Sequence, residues 1–495
     1  MSKQFYQSTS AHALNYDSLQ SAVVYHQHRL ISLGELLSTV NYLAEKIPAH
    51  QYIINLHQER YYFLLGFLLA LKQKTISLFP STLTAHTLTQ LGTDYKDVLL
   101  LTDQNDQTIN SNITDDKNFI HFDLKVELEH FVSEQTANNS IDFPPIESQR
   151  LVAIIFTSGS TGEPLPYSKY WADLISAAHL LGKQFLPQQT DKKTQSALVA
   201  TVPAQHMYGL EASIMMALQH GLLIHSTKPF FPQDISDCLD DFKALQATSA
   251  NSYNSVLITT PLHLKACIKT AVDLSTVKLI ISATAPLDKS LARSCEQQFN
   301  TPVKEIFGCT EVGSMAWRRT SQSEQWTVLD DISLSCKNNT LINTSRSIKQ
   351  FPFNDIVEVL DSQHFLLQGR MEDLINQAGK RTSLAYLNHH LQTYPEFADA
   401  CYYQDNSLQE TRLIAFVVAH KINDHSIPDK AQQQIKNKQL IAYLKARIEA
   451  VFLPKRIYYV QQLPRNATGK LPLTQLKKLF LQYEPALPGS GTGVS

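Results

Sequence analysis

A series of short apolar runs constrains this chain more than any other feature. They are LVAIIF at 151–156, ALVATV at 197–202, GLLIHS at 221–226, SVLITT at 255–260 and KLIISA at 278–283. Helical periodicity lies between several of them, around 171–183, 209–219, 262–272 and 288–299. A strand that is apolar along its whole length is buried on both faces, as when helices cover both sides of a parallel sheet. The pattern predicts a layered, largely parallel α/β sheet. Ligands in such sheets bind at the carboxyl ends of the strands. Earlier in the chain, Leu33, Leu36, Leu37, Val40, Leu43, Ala44 and Ile47 recur at helical spacing within 31–47. YIINL at 52–56, TISLF at 75–79 and KDVLLL at 96–101 read as strands, and 58–72 as a helix. The stretch 105–150 is polar and weakly patterned, so loops are expected there.

At 495 residues the chain exceeds a single ordinary core. After about 325, WTVLD, SLSCK, NTLINTS, DIVEVLD and HFLLQGR predict short strands of a small β-subdomain. Beyond it, helices near 384–392 and 433–451 and strands at 398–403, 412–419 and 456–463 predict a compact α+β unit. The expected fold class is therefore α/β. A large N-terminal layered domain over 1–369 is followed by a small, mobile α+β domain over 370–495.

A formal net charge of -2 argues against a broad nucleic-acid surface. The cysteines Cys238, Cys267, Cys295, Cys309, Cys336 and Cys401 form no metal-ribbon or redox spacing, which predicts isolated thiols. The longest apolar stretch, Tyr61–Leu71, is too short to span about 30 Å of hydrocarbon as a helix. A buried helix, no stable membrane insertion and a cytoplasmic location are expected.

The run LVAIIF leads into TSGSTGEP at 157–164. Successive backbone N–H groups in a tight glycine loop can surround an anion, and Ser and Thr hydroxyls add donors. The G-x-x-x-x-G-K-[ST] spacing of a Walker A loop is absent. By itself the loop reads more readily as an ordinary turn than as a phosphate site. Six further segments occur in order: PAQHMYG (203–209), ATAPL (283–287), FGCTE (307–311), NDIVEV (354–359), GRMEDLINQAGKR (369–381) and LPRNATGKLPL (463–473). Together with the loop they resemble the motifs of the adenylate-forming superfamily of acyl-CoA synthetases, aryl-acid ligases, luciferases and nonribosomal adenylation domains. The resemblance covers about 150–475 directly. Three departures stand out. Leu165 occupies the family's phosphate-loop lysine position, Pro352-Phe353-Asn354 precedes Asp355 in place of the usual T-G, and Leu473 replaces a common arginine. Lys169 is the next cation after Leu165.

The resemblance implies a two-step reaction, in which a carboxylic acid attacks the α-phosphorus of ATP and a thiol then takes the acyl group. It assigns ATP contacts to Thr157, Ser158, Gly159, Ser160, Thr161 and Gly162, to Ala283, Thr284, Ala285 and Pro286, and to Phe307, Gly308 and Thr310. Asp355 and Arg370 would hold the ribose and phosphate. Glu311 is the expected Mg²⁺ ligand, since that ion takes oxygen donors and is shared with substrate phosphates. Lys470 would bridge acid and nucleotide as the catalytic ammonium. His206 would stand beside the acyl pocket, with Tyr208, Gly209 and Ala283 lining it. Glu372 takes the hinge position, and Gly379 and Lys380 the thiol channel. The thiol would belong to CoA or to the phosphopantetheine of an acyl carrier protein.

The variant FTSGSTGEPLPYSKYW, with its displaced lysine and Trp171, is similar to ligases of bacterial aryl-polyene and related pigment pathways. It implies an aromatic acid such as 4-hydroxycinnamate or a hydroxybenzoate. A medium- or long-chain fatty acid ligase and a noncatalytic nucleotide-binding protein are the alternatives.

Overall fold

Serine at the end of a β-hairpin starts the first helix. Strands β1 (Ala22–His26) and β2 (Arg29–Ser32) pair antiparallel, and helix α1 (Leu33–Lys46) follows. The Ser32 hydroxyl accepts from the Glu35 backbone at 3.2 Å, and the Glu35 carboxylate accepts from the Ser32 backbone at 2.8 Å. This reciprocal cap satisfies two orphan donors of the first turn. The computed structural model describes residues 10–80, 85–102, 119–129, 143–158, 164–187, 194–248, 251–337, 339–344, 351–352, 355–370, 374–377, 380–405, 412–420, 429–445, 447–448, 450–466, 469 and 471–483.

The first sheet contains β3 (Tyr52–Asn55), β4 (Ile76–Phe79), β5 (Val98–Thr102), β6 (Phe119–Asp123), β7 (Leu151–Ser158) and β8 (Pro164–Tyr170), in the order β8-β7-β4-β3-β5-β6. All neighbours are parallel except β7 and β8. Helix α2 (Arg60–Gln73) is buried from Arg60 to Leu71. An apolar surface all round suits a helix enclosed on every side. Among the described residues no helix is long and apolar enough to cross a membrane. The expectation of loops over 105–150 is corrected in part: Phe119–Asp123 is an edge strand parallel to β5, and Leu124–Glu129 a helical turn and a half. An edge strand has one covered flank and so needs less apolar patterning than a central one.

The second sheet adds β9 (Thr194–Ala200), β10 (Leu223–His225), β11 (Ser252–Thr259), β12 (Val277–Ser282), β13 (Val303–Cys309), β14 (Gly313–Arg318) and β15 (Gln325–Val328). Its order runs β15-β14-β13-β12-β11-β9-β10-β1-β2, parallel from β13 through β1. Helix α3 (Trp171–Phe185) buries Trp171, Leu174, Ile175, Ala178 and Leu181 in one core. Helices α4 (Pro232–Thr248), α5 (Pro261–Thr270) and α6 (Lys289–Phe299) pack Leu239, Leu264 and Cys295 into a second. Two cores, one on each face, explain why these strands are apolar throughout.

The chain divides into two compact units: 1–337 with 341–351 and 361–364, and 338–340 with 352–360 and 365–495. The expected short strands appear at β15, Ile332–Lys337, Asn339–Thr344, β16 (Asp355–Val359) and β17 (His364–Arg370). In the C-terminal unit, β18 (Leu374–Gln377) and β19 (Lys380–Ser383) form a hairpin. A three-stranded sheet of β20 (Phe397–Asp405), β21 (Arg412–Ala419) and β22 (Arg456–Tyr459) packs with α7 (Leu384–Gln392) and α8 (Lys430–Lys445) around Leu387, Leu391, Leu440 and Leu444. Helix α9 (Leu473–Tyr483) covers the other face through Leu476 and Phe480. Cys238, Cys267, Cys295, Cys309 and Cys401 are free thiols, and all but Cys309 are buried.

Candidate active site

Strands β9, β11, β12 and β13 run parallel with paired registers, so Ala200, Thr259, Ser282 and Cys309 end on one edge of the sheet. The loops leaving that edge carry PAQHMYG, ATAPL and the turn of FGCTE. Segments up to a hundred residues apart in sequence are thus gathered by strand order, as the sheet rule requires.

The PAQHMYG loop turns into a helical segment at Met207–Gly209, which continues through π-helical turns at Leu210–Met215 to Met216–His220. His206 is extended (φ -88°, ψ 150°) and caps this segment: its carbonyl accepts from Leu210 N at 2.8 Å. A Cβ at Gly209 would overlap the Pro203 carbonyl oxygen, with the carbonyl carbon only 2.8 Å away. That close approach requires glycine. The Tyr208 hydroxyl donates to the Ile281 carbonyl at 2.9 Å, and burial pushes its pKa upward. The phenol therefore ties PAQHMYG to the strand that leads into ATAPL. Behind the motif, buried Arg60 donates to the Val202 carbonyl at 2.5 Å, and Gln205 donates to the His57 carbonyl at 2.8 Å. Burial lowers the Arg60 guanidinium to about 10.

ATAPL holds a non-glycine residue, Thr284, in the left-handed region at φ 77°. Such conformations cost of order 1–3 kcal/mol and persist only where surroundings enforce them. The surroundings here include Glu305, which is 3% exposed. Its Oε1 accepts from Leu287 N at 2.9 Å, closing the end of the loop. Its Oε2 accepts from Arg318 Nε at 2.7 Å and from the Thr320 hydroxyl at 2.6 Å. The Arg318 guanidinium lies 4.3 Å over the Trp326 ring, and Trp326 sits 5.4 Å from the Phe307 ring. One chain of contacts therefore positions both ATAPL and the aromatic residue expected at adenine.

Thr310, Glu311 and Val312 form the turn between antiparallel β13 and β14. A side chain at Gly308 would overlap the Gly313 carbonyl, and one at Gly313 (φ 90°) would overlap the Glu211 carboxylate. Glu211, 1% exposed on the π-helical turns, accepts from Ser314 N at 2.8 Å and from its hydroxyl at 2.6 Å. On the other side, the Lys169 ammonium donates to the Glu311 carbonyl at 3.0 Å. Lys169 sits on β8 and is 2% exposed. The Cys309 thiol is pushed up to about 12 by burial and by the charge and hydrogen bonding of Glu311, with Lys169 opposing. Glu311 itself is part exposed at the strand edge. Among the described residues no group of three or more His, Cys, Asp or Glu side chains could hold an ion. One partly solvated carboxylate fits Mg²⁺ shared with substrate phosphates, and does not fit an all-protein cage.

Strand β7 delivers Thr157 and Ser158 as its last residues, and β8 returns antiparallel with Thr157 opposite Leu165 and Ser158 opposite Pro164. Strands β7 and β8 thus pair on either side of the glycine loop, with seven strand residues before α3 begins. Gly159, Ser160, Thr161 and Gly162 lie outside the described residues. Leu165 is 49% exposed next to the loop, while Lys169, the nearest following cation, is spent on the Glu311 turn.

In the C-terminal unit, Asp355 and Arg370 are direct cross-strand partners of β16 and β17. Two residues expected at the ribose are therefore neighbours in register, fifteen positions apart in sequence. Lys380 opens β19 opposite Gln377. Glu372, Gly379 and Lys470 lie outside the described residues. Gly469, just before Lys470, is buried and left-handed at φ 80°. Arg465 donates to its carbonyl at 2.7 Å and to both Asp399 oxygens at 2.7 Å. Sequence reasoning missed Glu211, Glu305, Asp399 and Arg465. Their only sequence signal is a charged residue within an otherwise apolar or motif-bearing stretch, which does not name a partner.

A family model described as AMP-binding enzyme matches residues 56–342, and one described as AMP-binding enzyme C-terminal domain matches 389–470. The chain is 22% identical over 392 residues to 4-coumarate–CoA ligase 2 of Nicotiana tabacum, spanning 69% of this chain and 68% of that protein. It is 23% identical over 327 residues to the 4-coumarate–CoA ligase of Halorhodospira halophila, spanning 66% and 76%. Its fold is similar to ATP-bound MatB from Rhodopseudomonas palustris, with a TM-score of 0.75 and 17% identity over 98% of each chain. It is likewise similar to o-succinylbenzoate CoA synthetase from Bacillus subtilis with its acyl-adenylate, with a TM-score of 0.73 and 16% identity over 96% of this chain and 97% of that one.

Proposed function

Because this chain belongs to the AMP-binding enzyme family, within the adenylate-forming acyl-CoA and aryl-acid ligases, we propose that it couples a carboxylic acid to a thiol at the expense of ATP. The observation that carries this reading is the cross-tying of three loops at one strand edge. Tyr208 bonds to the strand before ATAPL, Glu305 closes ATAPL, and Glu211 bonds to the strand after Glu311. Such ties hold reacting groups in place before substrate arrives, which is how alignment lowers a barrier.

In the first step a carboxylate oxygen attacks the α-phosphorus of ATP and pyrophosphate leaves. In the second, a thiol sulfur attacks the acyl carbonyl and AMP leaves. The glycine loop from Thr157 to Gly162 binds phosphate oxygens through backbone N–H groups. Thr310 donates to the same phosphates. Phe307, Gly308 and Ala283–Pro286 bind the adenine, and Asp355 and Arg370 the ribose and phosphate. Glu311 ligates Mg²⁺, whose role when bound is to neutralise phosphate charge. Lys470 supplies the ammonium that bridges acid and nucleotide during adenylation. Residues 1–369 bind acid and nucleotide on this reading, and 370–495 form the domain that turns about Glu372 to exchange Lys470 for the Gly379–Lys380 channel.

An aromatic acid is the proposed substrate class, with 4-hydroxycinnamate or a hydroxybenzoate as first choices. The likeness to 4-coumarate–CoA ligases supports it, as does the similarity of the FTSGSTGEPLPYSKYW segment to pigment-pathway ligases. His206, Tyr208, Gly209 and Ala283 are assigned to the acyl pocket. CoA or an acyl carrier protein is the acceptor. The test is acid-dependent exchange of labelled pyrophosphate into ATP across a panel of aryl and fatty acids, followed by transfer to CoA and to carrier protein separately. Exchange with hydroxycinnamates at least tenfold above fatty acids is expected. Preference for fatty acids would replace the aromatic assignment, and absence of exchange with every acid would refute the ligase reading.

A further inference from the structure

The turn bearing Glu311 is gripped from two sides by buried ionisable side chains on other elements. Lys169 reaches it from β8, the strand after the glycine loop, and donates to the main-chain carbonyl of Glu311 itself. Glu211 reaches it from the helical segment that begins at PAQHMYG, and accepts two hydrogen bonds from Ser314. Both side chains are almost fully buried, at 2% and 1% exposure. Gly313 lies against the Glu211 carboxylate, where any side chain would overlap it. A charge-assisted bond in a low-dielectric site is stronger and more directional than one in water. A surface lysine has no need of such a seat.

We propose that Lys169 and Glu211 are positioning residues that clamp the Glu311 turn. The clamp joins the strand after the glycine loop and the PAQHMYG segment to the carboxylate assigned to the metal. Lys169 thus replaces direct phosphate contact by a lysine at position 165 with control over the geometry of Glu311. This inference rests on the ligase reading for its consequence in catalysis, though the clamp itself is a property of the nucleotide-free chain.

The decisive variant is Lys169→Met, which keeps length and apolar bulk but removes the ammonium. Two measurements are made. The first is backbone hydrogen–deuterium exchange of the turn in nucleotide-free protein at one pH, followed by peptide mass spectrometry. Cys309 ends β13 just before the turn, so exchange is read over residues 309–314, where Lys169 and Glu211 bind. Loss of the clamp raises the deuterium uptake rate there at least fivefold over wild type. The second is the Mg²⁺ concentration for half-maximal pyrophosphate exchange, which rises at least tenfold, while thiol transfer from supplied acyl-adenylate changes less than twofold. Lys169→Arg, which retains a cation, recovers part of the protection. If Lys169→Met does not unfold as a cooperative transition, Glu211→Gln takes its place, with an increase in uptake rate of at least twofold expected. Unchanged uptake in the folded variant overturns the clamp. Faster uptake with an unmoved Mg²⁺ requirement overturns the link to the metal. A Glu311→Gln variant with wild-type Mg²⁺ dependence, or wild type with no pyrophosphate exchange, overturns the underlying assignment instead, and the uptake result still decides the clamp.

Discussion

Replacing Arg465 with lysine tests whether the turn before Lys470 is held by side-chain geometry. Arg465 makes paired 2.7 Å bonds to Asp399 and a third to the Gly469 carbonyl, also 2.7 Å. Lysine keeps the charge but is a single point of donation, and cannot reproduce the planar fork. Hydrogen bonds to charged groups contribute about 1.5–3 kcal/mol each when buried. The two side chains are 24% and 29% exposed, so solvent screening places each bond at or below the low end. If lysine recovers one of three contacts, the loss is about 2 kcal/mol. Expressed entirely in the adenylation barrier, that is about 30-fold in rate. Burial pulls the guanidinium down, but the Asp399 bonds and charge outweigh it and hold the pKa above its ordinary value. The defect is therefore expected at every pH from 6 to 9. The assay compares pyrophosphate exchange with thiol transfer from supplied acyl-adenylate. Adenylation should fall about 10- to 30-fold, and transfer by less than threefold. Equal loss of both, or unaltered adenylation in a folded protein, would refute the reasoning.

Further outcomes follow from the N-terminal unit. Gly209→Ala should lower stability by about 2 kcal/mol despite alanine's better helix propensity, because the added carbon meets backbone at Pro203; a thermal melt at or above wild type would contradict it. Glu305→Gln breaks a buried ion pair and leaves one acceptor oxygen for the Leu287, Arg318 and Thr320 donors, at about 3 kcal/mol. It should raise KM for ATP more than KM for the acid, and an unmoved ATP KM would separate Glu305 from ATAPL. His263 is lowered to about 4 by burial and then by Lys228, and its buried Nε2 has no hydrogen-bond partner among the described residues. The unfolded chain takes up that proton near pH 6.5 and the folded chain only near 4, so His263 contributes full stability above 6.5 and loses it as pH falls towards 4. The contribution is about 3 kcal/mol. His263→Asn should flatten denaturant stability across that window, and a slope equal to wild type would exclude His263 as its source.

Helix α2 and strands β3, β4, β7, β9, β11 and β12 are legible in sequence because burial on two faces writes a continuous apolar run. The C-terminal unit is legible for the same reason at β20 and β21. Strand β8, PLPYSKY, is not. Two prolines in seven residues argue against a strand, and pairing with β7 makes it one. Lys169 belongs to the same problem: as the next cation after Leu165 it has no readable partner in the sequence, whereas in the fold it lies on β8 and reaches Glu311.

The motifs themselves were determined by local chemistry. A glycine is demanded where backbone meets backbone, as at Gly209 and Gly308, and a carboxylate where oxygen donors are needed, as at Glu311. These needs are satisfied within a few residues, so they survive as readable spacing. Which charges hold the motifs in register was decided only by the tertiary structure. Glu211 meets Ser314 across 103 positions, Lys169 meets Glu311 across 142, and Arg465 meets Asp399 across 66. Each pairing depends on which strands lie side by side, and strand order is a property of the packed sheets rather than of any stretch of the chain.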